Sequence, residues 1–179
     1  MPNCADGADP TAGLIQATDG NFYGTTLRWG ANGAGTVFEI TPAGELTTLY
    51  SFCSLSNCSD GQSPAAGLIQ DTNGTFYGTT ESGGVISCGC GTVFSLSVGL
   101  GPFVETQTTS GKVGAAVKIL GTDLMGPAGV TFNGTPAAIT FISPSEISTT
   151  VPAGAATGKV QVTTPGGTLL SNIAFRITP

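Results

Sequence analysis

The chain of 179 residues is long enough for one domain or two small ones with a buried core. Only 9% of its residues are charged, against about 25% in typical soluble domains. Its 28 glycines are more than double the usual share of about 7%. Histidine is absent, which excludes Ser/His/Asp triads, Cys/His dyads and His-ligated metals. The composition favours a turn-rich β protein and excludes most hydrolase and metalloenzyme classes.

The net charge of −6 is divided unevenly along the chain. Residues 1–100 hold eight acids against Arg28 alone, a net of −7, whereas residues 101–179 hold three acids against four cations, a net of +1. This step indicates two units of different composition. We expect no nucleic-acid partner, because no basic patch exists, and no membrane span, because no run of 18 apolar residues exists. The first seven residues also lack the features of a signal peptide.

An internal repeat occupies the first half of the chain. At an offset of 54 residues, the segment 3–26 aligns with 57–80, and 17 of the 24 positions are identical. The tetrapeptide Gly-Thr-Val-Phe at 35–38 recurs at 91–94, an offset of 56, so the preceding loop is two residues longer in the second copy. An insertion at that point indicates a surface loop. The chain therefore begins with a true tandem repeat.

Each repeat, 3–56 and 57–97, is predicted to form a four-stranded antiparallel unit. The pair Asp19-Gly20 favours a tight hairpin turn, and Asn73-Gly74 repeats that signal. The strands predicted in the first copy are 13–17, 21–26, 35–41 and 46–52. Four antiparallel strands every 50-odd residues are the period of a propeller blade, and two blades cannot close a ring of at least four. We expect an incomplete array of two propeller-like blades.

A Gly/Pro linker at 98–102 separates the repeats, 1–97, from a C-terminal domain at 103–179. Seven short strands in fewer than 80 residues favour an immunoglobulin-like β-sandwich. The predicted strands are 103–108, 115–120, 129–132, 137–142, 147–151, 159–164 and 173–178. This part contains no cysteine, so its core is expected to hold by packing alone. The predicted fold class is all-β throughout.

Two sets of motifs resemble known families. The string DG-x-x-P-x-AGLIQ-x-T-x-G-x-FYGTT, followed by GTVF and LYSFC, resembles the GloVer tandem repeats of long secreted or surface proteins of environmental bacteria, acidobacteria in particular. The later motifs TSGKVG, ILGTDL, VTFNG and VPAGAATG resemble an IPT/TIG domain. Together the resemblances cover almost the whole chain. They imply a β-propeller-like array and an immunoglobulin-like module in an exported protein, at the cell surface or outside the cell, with no reaction and no cofactor.

The copy number departs from the family pattern, because the chain has two repeats and the first starts within a motif. We therefore expect the chain to be the C-terminal part of a longer repeat protein, or a truncated reading frame. We also expect its open blade edges to favour self-association, since unpaired strand edges are templates for pairing.

The five cysteines are Cys4, Cys53, Cys58, Cys88 and Cys90. The resemblance implies a disulfide between Cys53 and Cys58, in keeping with an oxidising compartment. Cys4 is then left over. Cys88 and Cys90 either form a local bridge, pair one thiol elsewhere, or bind a soft metal. Zinc is disfavoured, because CxxC spacing and histidine are both absent, so no metal site is predicted.

The acidic residues offer two further hypotheses. Asp6, Asp9, Asp19 and Asp60 supply hard oxygens for calcium, but no EF-hand loop is present and Asp-Gly is chiefly a turn device. Paired carboxylates can hydrolyse glycosides, but Glu39, Glu45 and Glu81 are replaced or shifted in the companion copy. No nucleophile elbow or phosphate-binding loop occurs. We therefore predict structural acids, no catalytic residues and no enzyme activity.

The aromatic residues give the remaining candidate contact. Phe22-Tyr23 and Phe76-Tyr77 recur at equivalent strand positions, so one ring of each pair is expected to pack between the blades. Trp29 lies in the variable loop without a counterpart in the second copy, and it either caps the blade or stacks on a sugar ring.

These observations lead to one functional hypothesis and two alternatives. The chain is interpreted as a non-enzymatic binding or adhesion module for a glycan or protein ligand. The alternatives are an accessory, carbohydrate-binding fragment of a carbohydrate-active enzyme, and a truncated remnant without independent function.

Overall fold

The structure, a computed structural model, describes residues 4–85 and 89–179. Within these residues the regular secondary structure consists of sixteen β-strands and one three-residue 3₁₀ turn at Ser56–Cys58, which confirms the predicted all-β class. The backbone divides into two compact units. The first comprises the described residues of 1–71 and 75–99, and the second comprises 72–74 and 100–179.

The first repeat forms a four-stranded antiparallel sheet in the order β1-β2-β3-β4. Asp19 builds its first hairpin turn: its carboxylate accepts hydrogen bonds from the Asn21 N–H at 3.1 Å and the Tyr23 hydroxyl at 2.8 Å. Gly20 supplies the positive φ of +87° that this turn needs. The strands are β1 Ile15–Gln16, β2 Phe22–Thr26, β3 Thr36–Ile40 and β4 Leu46–Ser51.

The described residues of the second repeat, 57–85 and 89–97, form three strands, and the prediction of four strands in each repeat is wrong for this copy. The strands are β5 Ile69–Gln70, β6 Phe76–Thr79 and β7 Val93–Leu96, in the order β5-β6-β7. After Leu96 the chain runs without a strand to Phe103 and enters the second unit. No residues remain to form the counterpart of β4.

A hydrogen-bonded pair of threonine hydroxyls closes each repeat; the pair is buried in the first copy and partly buried in the second. In the first copy, Thr26 Oγ1 lies 2.8 Å from Thr36 Oγ1, and the Thr36 N–H donates to Thr26 Oγ1 at 3.1 Å. In the second copy, Thr80 Oγ1 lies 3.0 Å from Thr92 Oγ1, and the Thr92 N–H donates to Thr80 Oγ1 at 2.8 Å. Each pair also reaches the preceding Asp-Gly loop, since Thr36 donates to the carbonyl of Asp6.

Glycine is required where the Asp-Gly loop meets these hydroxyls. A Cβ on Gly61, at φ +98°, would lie 2.5 Å from Thr92 Oγ1 and 2.6 Å from Thr80 Oγ1. Gly7 is in the same position against Thr26 and Thr36. The repeated Asp-Gly motif therefore reflects a close approach of loop and strand as well as a turn.

The two repeats pack face to face within the first unit. Tyr23 of β2 contacts Phe76 of β6 with ring centroids 4.4 Å apart, as expected for rings between blades, and both side chains are buried. Thr25 Oγ1 donates to the Ala66 carbonyl at 3.1 Å. Phe52, just after β4, packs edge-on against Phe94 of β7 at 4.9 Å. Apolar burial and aromatic contacts thus hold the second repeat against the first.

The second unit contains nine strands, rather than the seven predicted. Its main path runs β12-β11-β15-β16-β8-β10-β14-β13, and β9 pairs with β16. The strands are β8 Val104–Thr106, β9 Ser110–Gly111, β10 Ala116–Gly121, β11 Gly129–Phe132, β12 Thr135–Ala137, β13 Ile139–Ser143, β14 Glu146–Thr150, β15 Gly158–Thr164 and β16 Gly167–Ile177. Predicted strand 103–108 is shorter and precedes the separate β9, and 137–142 is divided between β12 and β13.

Packing alone forms the core of the second unit, as its lack of cysteine requires. Phe132 and Phe175 meet edge-on at 5.2 Å, among buried valines and isoleucines from five strands. The last strand, β16, is much longer than predicted because a bulge lets it continue. The Val160 N–H donates to Ser171 Oγ at 3.0 Å, where the register between β15 and β16 shifts.

The glycine requirement gives a test by paired substitutions. Gly20→Ala places a Cβ in open space and strains only the positive φ, so we expect a loss of about 1 kcal/mol of unfolding free energy. Gly61→Ala adds a clash with two hydroxyls, so we expect a loss of about 3 kcal/mol. Urea unfolding followed by the fluorescence of Trp29, the single tryptophan, measures both. Equal losses would contradict the close approach.

Candidate functional site

A groove of about 330 Å³ lies within the first unit, between the last strands of the two repeats. Tyr50 and Phe52 form one wall at the end of β4, where their rings meet edge-on at 5.2 Å. The other wall is β7, from Val93 to Leu96. Asp60 and Ser59 lie at the groove on the loop that joins the repeats. The groove is therefore aromatic and aliphatic, with one carboxylate in its lining.

Hydrogen bonds hold the Asp60 carboxylate in place. It accepts from the Tyr50 hydroxyl at 2.7 Å, from the Ser54 N–H and hydroxyl at 2.9 Å each, and from the Leu55 N–H at 3.2 Å. Four donors leave few free lone pairs on the two oxygens. Asp60 therefore fixes the loop 53–61 against the Tyr50 ring.

This arrangement keeps Asp60 ionised. Partial burial opposes the charged form, but the hydrogen bonds from Tyr50, Ser54 and Leu55 outweigh it and lower the pKa of Asp60 from 3.8 to about 2. Burial, with the hydrogen bond to Asp60, raises the pKa of Tyr50. At neutral pH the groove thus presents a carboxylate and a neutral phenol.

A disulfide between Cys53 and Cys58 closes the same loop, and it is the pair that the repeat resemblance implies. Cys53, Asn57 and Cys58 all have positive φ, so the loop is tightly wound. The Cys53 N–H donates to the Gly61 carbonyl at 3.1 Å, and the Gly61 N–H donates to the Cys58 carbonyl at 2.9 Å. The disulfide thus supports the segment that carries Asp60.

The other three cysteines are Cys4, Cys88 and Cys90. Cys4 is the free cysteine among the described residues, and Cys90 is disulfide-bonded. Cys88 lies outside the described residues.

Trp29 does not line the groove. It is half-buried at φ +65°, and the Gly35 N–H donates to its carbonyl at 2.8 Å. Trp29 has a structural counterpart, contrary to the sequence interpretation. The bond from Gly30 N–H to the Cys4 carbonyl recurs as Gly84 N–H to the Cys58 carbonyl, which makes Gly83 the equivalent of Trp29. The left-handed backbone explains why glycine occupies this position in the second copy.

Of the four acids considered for calcium, Asp9, Asp19 and Asp60 are held by protein groups. Asp19 accepts from Asn21 and Tyr23, and Asp9 pairs with Arg28 at 3.5 Å. Burial, with the hydrogen bond to Asp19, raises the pKa of Tyr23. Across residues 4–85 and 89–179, no group of three or more His, Cys, Asp or Glu side chains is placed to hold a metal.

Sequence reasoning missed the groove and the roles of Tyr50 and Asp60. A signal was present in the lengths, since the second repeat at 57–97 is shorter than the first at 3–56. The shorter second repeat lacks the counterpart of β4, rather than a loop. The contact of Asp60 with Tyr50 gives no local signal, because the residues meet only when the loop folds back on β4.

Comparison with protein families finds a match to a repeat family. Residues 2–142, more than half of the chain, match the Gloeobacter/Verrucomicrobia repeat. The chain belongs to this family. The matched range extends past the two repeats into the second unit. Among residues 4–85 and 89–179, this Gloeobacter/Verrucomicrobia repeat protein has no helix long and apolar enough to cross a membrane.

No curated protein matches the chain. Among solved structures, it is similar to the gamma-CGTase from alkalophilic Bacillus clarkii, with 18% identity and a TM-score of 0.36. The alignment covers 88% of this chain and 24% of that enzyme's chain. A similarity this low assigns neither a fold nor a function.

The lowered pKa of Asp60 predicts a pH-dependent contribution to stability. A carboxylate that is easier to ionise in the folded state stabilises that state above the unfolded pKa near 3.8, and the contribution is lost as the pH falls towards about 2. We expect Asp60→Asn to lower the unfolding free energy at pH 7 and to approach wild type near pH 2. Urea unfolding across this range measures the difference, and a constant difference would contradict the assignment.

The disulfide predicts a loss of stability on removal. In the entropic description, closing a loop this short raises the free energy of unfolding by about 2 kcal/mol, because the crosslink restricts the unfolded chain. We expect the double variant Cys53→Ser/Cys58→Ser to lose about that amount in urea unfolding. Cys4→Ser is the matched control, and it is expected to leave stability nearly unchanged. A similar loss in the control would show that serine substitution, rather than the crosslink, is responsible.

Proposed function

We propose that this chain is a non-enzymatic binding and adhesion module that acts outside the cell or at its surface. The observation that carries the proposal is the groove between the repeats, which combines the Tyr50 and Phe52 rings with the Asp60 carboxylate. Concave, largely apolar sites with a few fixed polar groups are the usual form of ligand sites. The repeat family supports a recognition role for the first unit.

The chemistry of Asp60 favours binding over catalysis. A general acid must carry a proton near the working pH, and Asp60, with a pKa of about 2, does not. A nucleophile or base needs a free lone pair, and four donors already bond to this carboxylate. The residues lining the groove include no second carboxylate to form an acid/base pair.

The second unit has a supporting role in this proposal. We assign it to an IPT/TIG-like module, as its motifs TSGKVG, ILGTDL and VTFNG suggest, acting as a spacer or interaction domain. The repeats are assigned a propeller-like arrangement in which the groove and the loop of Trp29 face the ligand. Because the first unit carries the acidic excess, ligands with neutral or positive groups are favoured over anions.

A binding assay with a turnover readout tests the proposal. The whole chain is incubated with insoluble polysaccharides and with immobilised surface proteins, and both retention and reducing-sugar release are measured. We expect retention without release. Release of sugar that one carboxylate substitution abolishes would favour a carbohydrate-active enzyme instead. No retention on any surface would contradict the binding role.

Substitutions separate the two candidate contact sites. We expect Tyr50→Ala to reduce retention, because it removes the ring that walls the groove. Trp29→Ala is the companion variant: an equal reduction would place a sugar-stacking contact in the variable loop, and unchanged retention would remove Trp29 from the site. Circular dichroism of both variants checks that the strands are intact.

A further inference from the structure

The outer edge of β7 lacks the strand that covers the same edge in the first repeat. In the first repeat β4 pairs with β3 along five residue pairs, from Thr36 opposite Ser51 to Ile40 opposite Leu46. In the second repeat β7 ends the sheet. Val37 on β3 is 1% exposed, whereas its equivalent Val93 on β7 is 78% exposed. Among residues 4–85 and 89–179, no strand pairs with this outer edge of β7, so the second repeat presents an apolar strand edge.

The backbone of β7 is oriented to accept another strand. The Thr80 N–H donates to the Thr92 carbonyl at 2.9 Å, and the Thr92 N–H donates to Thr80 Oγ1, so both polar groups of Thr92 point towards β6. Backbone groups alternate in direction along an antiparallel strand. The N–H and C=O groups of Val93 and Ser95 therefore point to the open edge.

The groove lies along this same edge. Its β7 wall includes Val93 and Ser95, and its opposite wall is Tyr50 and Phe52 of the first repeat. A strand added beside β7 would place alternate side chains in this groove beside Tyr50, whereas Phe52 and Phe94 already contact each other at 4.9 Å and close its inner side. The edge thus offers a row of backbone hydrogen bonds together with an apolar pocket, which are the two requirements of strand addition.

We propose that this edge binds an extended peptide segment of a partner protein as the fourth strand of the second repeat. The inference rests on the proposed function, because it assigns a ligand class to the same groove. The segment has the chemistry of β4 itself: extended and uncharged over six residues, with two leucines and a tyrosine among threonine and serine side chains. The β3/β4 register, moved onto the second repeat, places an aromatic residue opposite Val93 and a threonine opposite Ser95.

A separate segment fits this edge better than β4 of a second copy. In each copy β4 already pairs with β3, so its release would break five residue pairs and uncover Val37. A free extended segment has no such ladder to break. The hydrogen-bonding row also favours a peptide over a glycan, because its groups alternate at the spacing of a strand.

A synthetic peptide of residues 45–52, acetylated, amidated and fluorescently labelled, tests the proposal on the full chain. We expect saturable binding by fluorescence anisotropy. N-methylation at the positions of Thr47 and Tyr50, whose amides face the edge in this register, should weaken binding about tenfold or more. N-methylation at Thr48 and Ser51, whose amides face away, is the matched control, and its binding should stay within a few-fold of the parent peptide.

Protein variants give a second, independent readout. Val93→Lys places a charge on the edge opposite the aromatic position, and we expect it to weaken peptide binding about tenfold. Ile69→Lys is the control, because Ile69 is also exposed, at 65%, but does not line the groove. Both variants alter exposed side chains, so both are expected to fold.

The outcomes are distinguishable. Equal weakening by both N-methylated peptides, or unchanged binding to Val93→Lys, would overturn the strand-addition proposal. A stable dimer of the chain that the peptide dissociates would assign the edge to a second copy and overturn the choice of a separate partner. Polysaccharide retention that depends on Tyr50, without peptide binding, would overturn this inference alone. The absence of both polysaccharide retention and peptide binding would contradict the proposed function as well.

Discussion

The hydrogen-bonded threonine pair of each repeat is the interaction on which the rest of the first unit depends. It ties two neighbouring strands to each other and to the Asp-Gly loop before them, through hydroxyl groups that are buried in the first repeat and partly buried in the second. A buried hydroxyl without a partner is costly, so the two threonines must be kept together and the loop must approach closely. The close approach of the loop explains the glycine in the Asp-Gly motif. It also fixes the position of the Asp-Gly loop at the start of the second repeat.

The groove follows from this arrangement. Because the Asp-Gly loop of the second repeat is held by Thr92, the residue before Gly61 is held near the end of β4, where Asp60 meets Tyr50. The disulfide between Cys53 and Cys58 closes the intervening turn. Asp60 is the one charged residue among those that line the groove. Its hydrogen bonds make it a structural anchor and a fixed acceptor rather than a proton donor. A rigid, polar-tipped aromatic wall beside an unpaired strand is suited to recognition.

Much of the first unit was predictable because its signals are local and repeated. The Asp19-Gly20 turn, the strand predicted at 35–41 and the packing of Tyr23 against the second repeat all follow from patterns a few residues long. The prediction failed at the fourth strand of the second repeat and at the counterpart of Trp29. In both cases the missing information was a partner distant in the chain. The extra strands of the second unit were missed for the same reason, since β9 consists of two residues and exists only through its pairing with β16.

The sequence by itself determined the tandem repeat, the all-β class, the turn positions and the acidic first half, because glycine, threonine and Asp-Gly act through local backbone preferences. The tertiary structure alone decided that the β7 edge lacks a fourth strand and that Asp60 is bonded by four donors. The physical reason is that edges, buried hydroxyl pairs and lowered pKa values arise from contacts between segments far apart in sequence. Composition excluded chemistry that depends on histidine, but only the fold placed an open strand edge beside the groove at Tyr50.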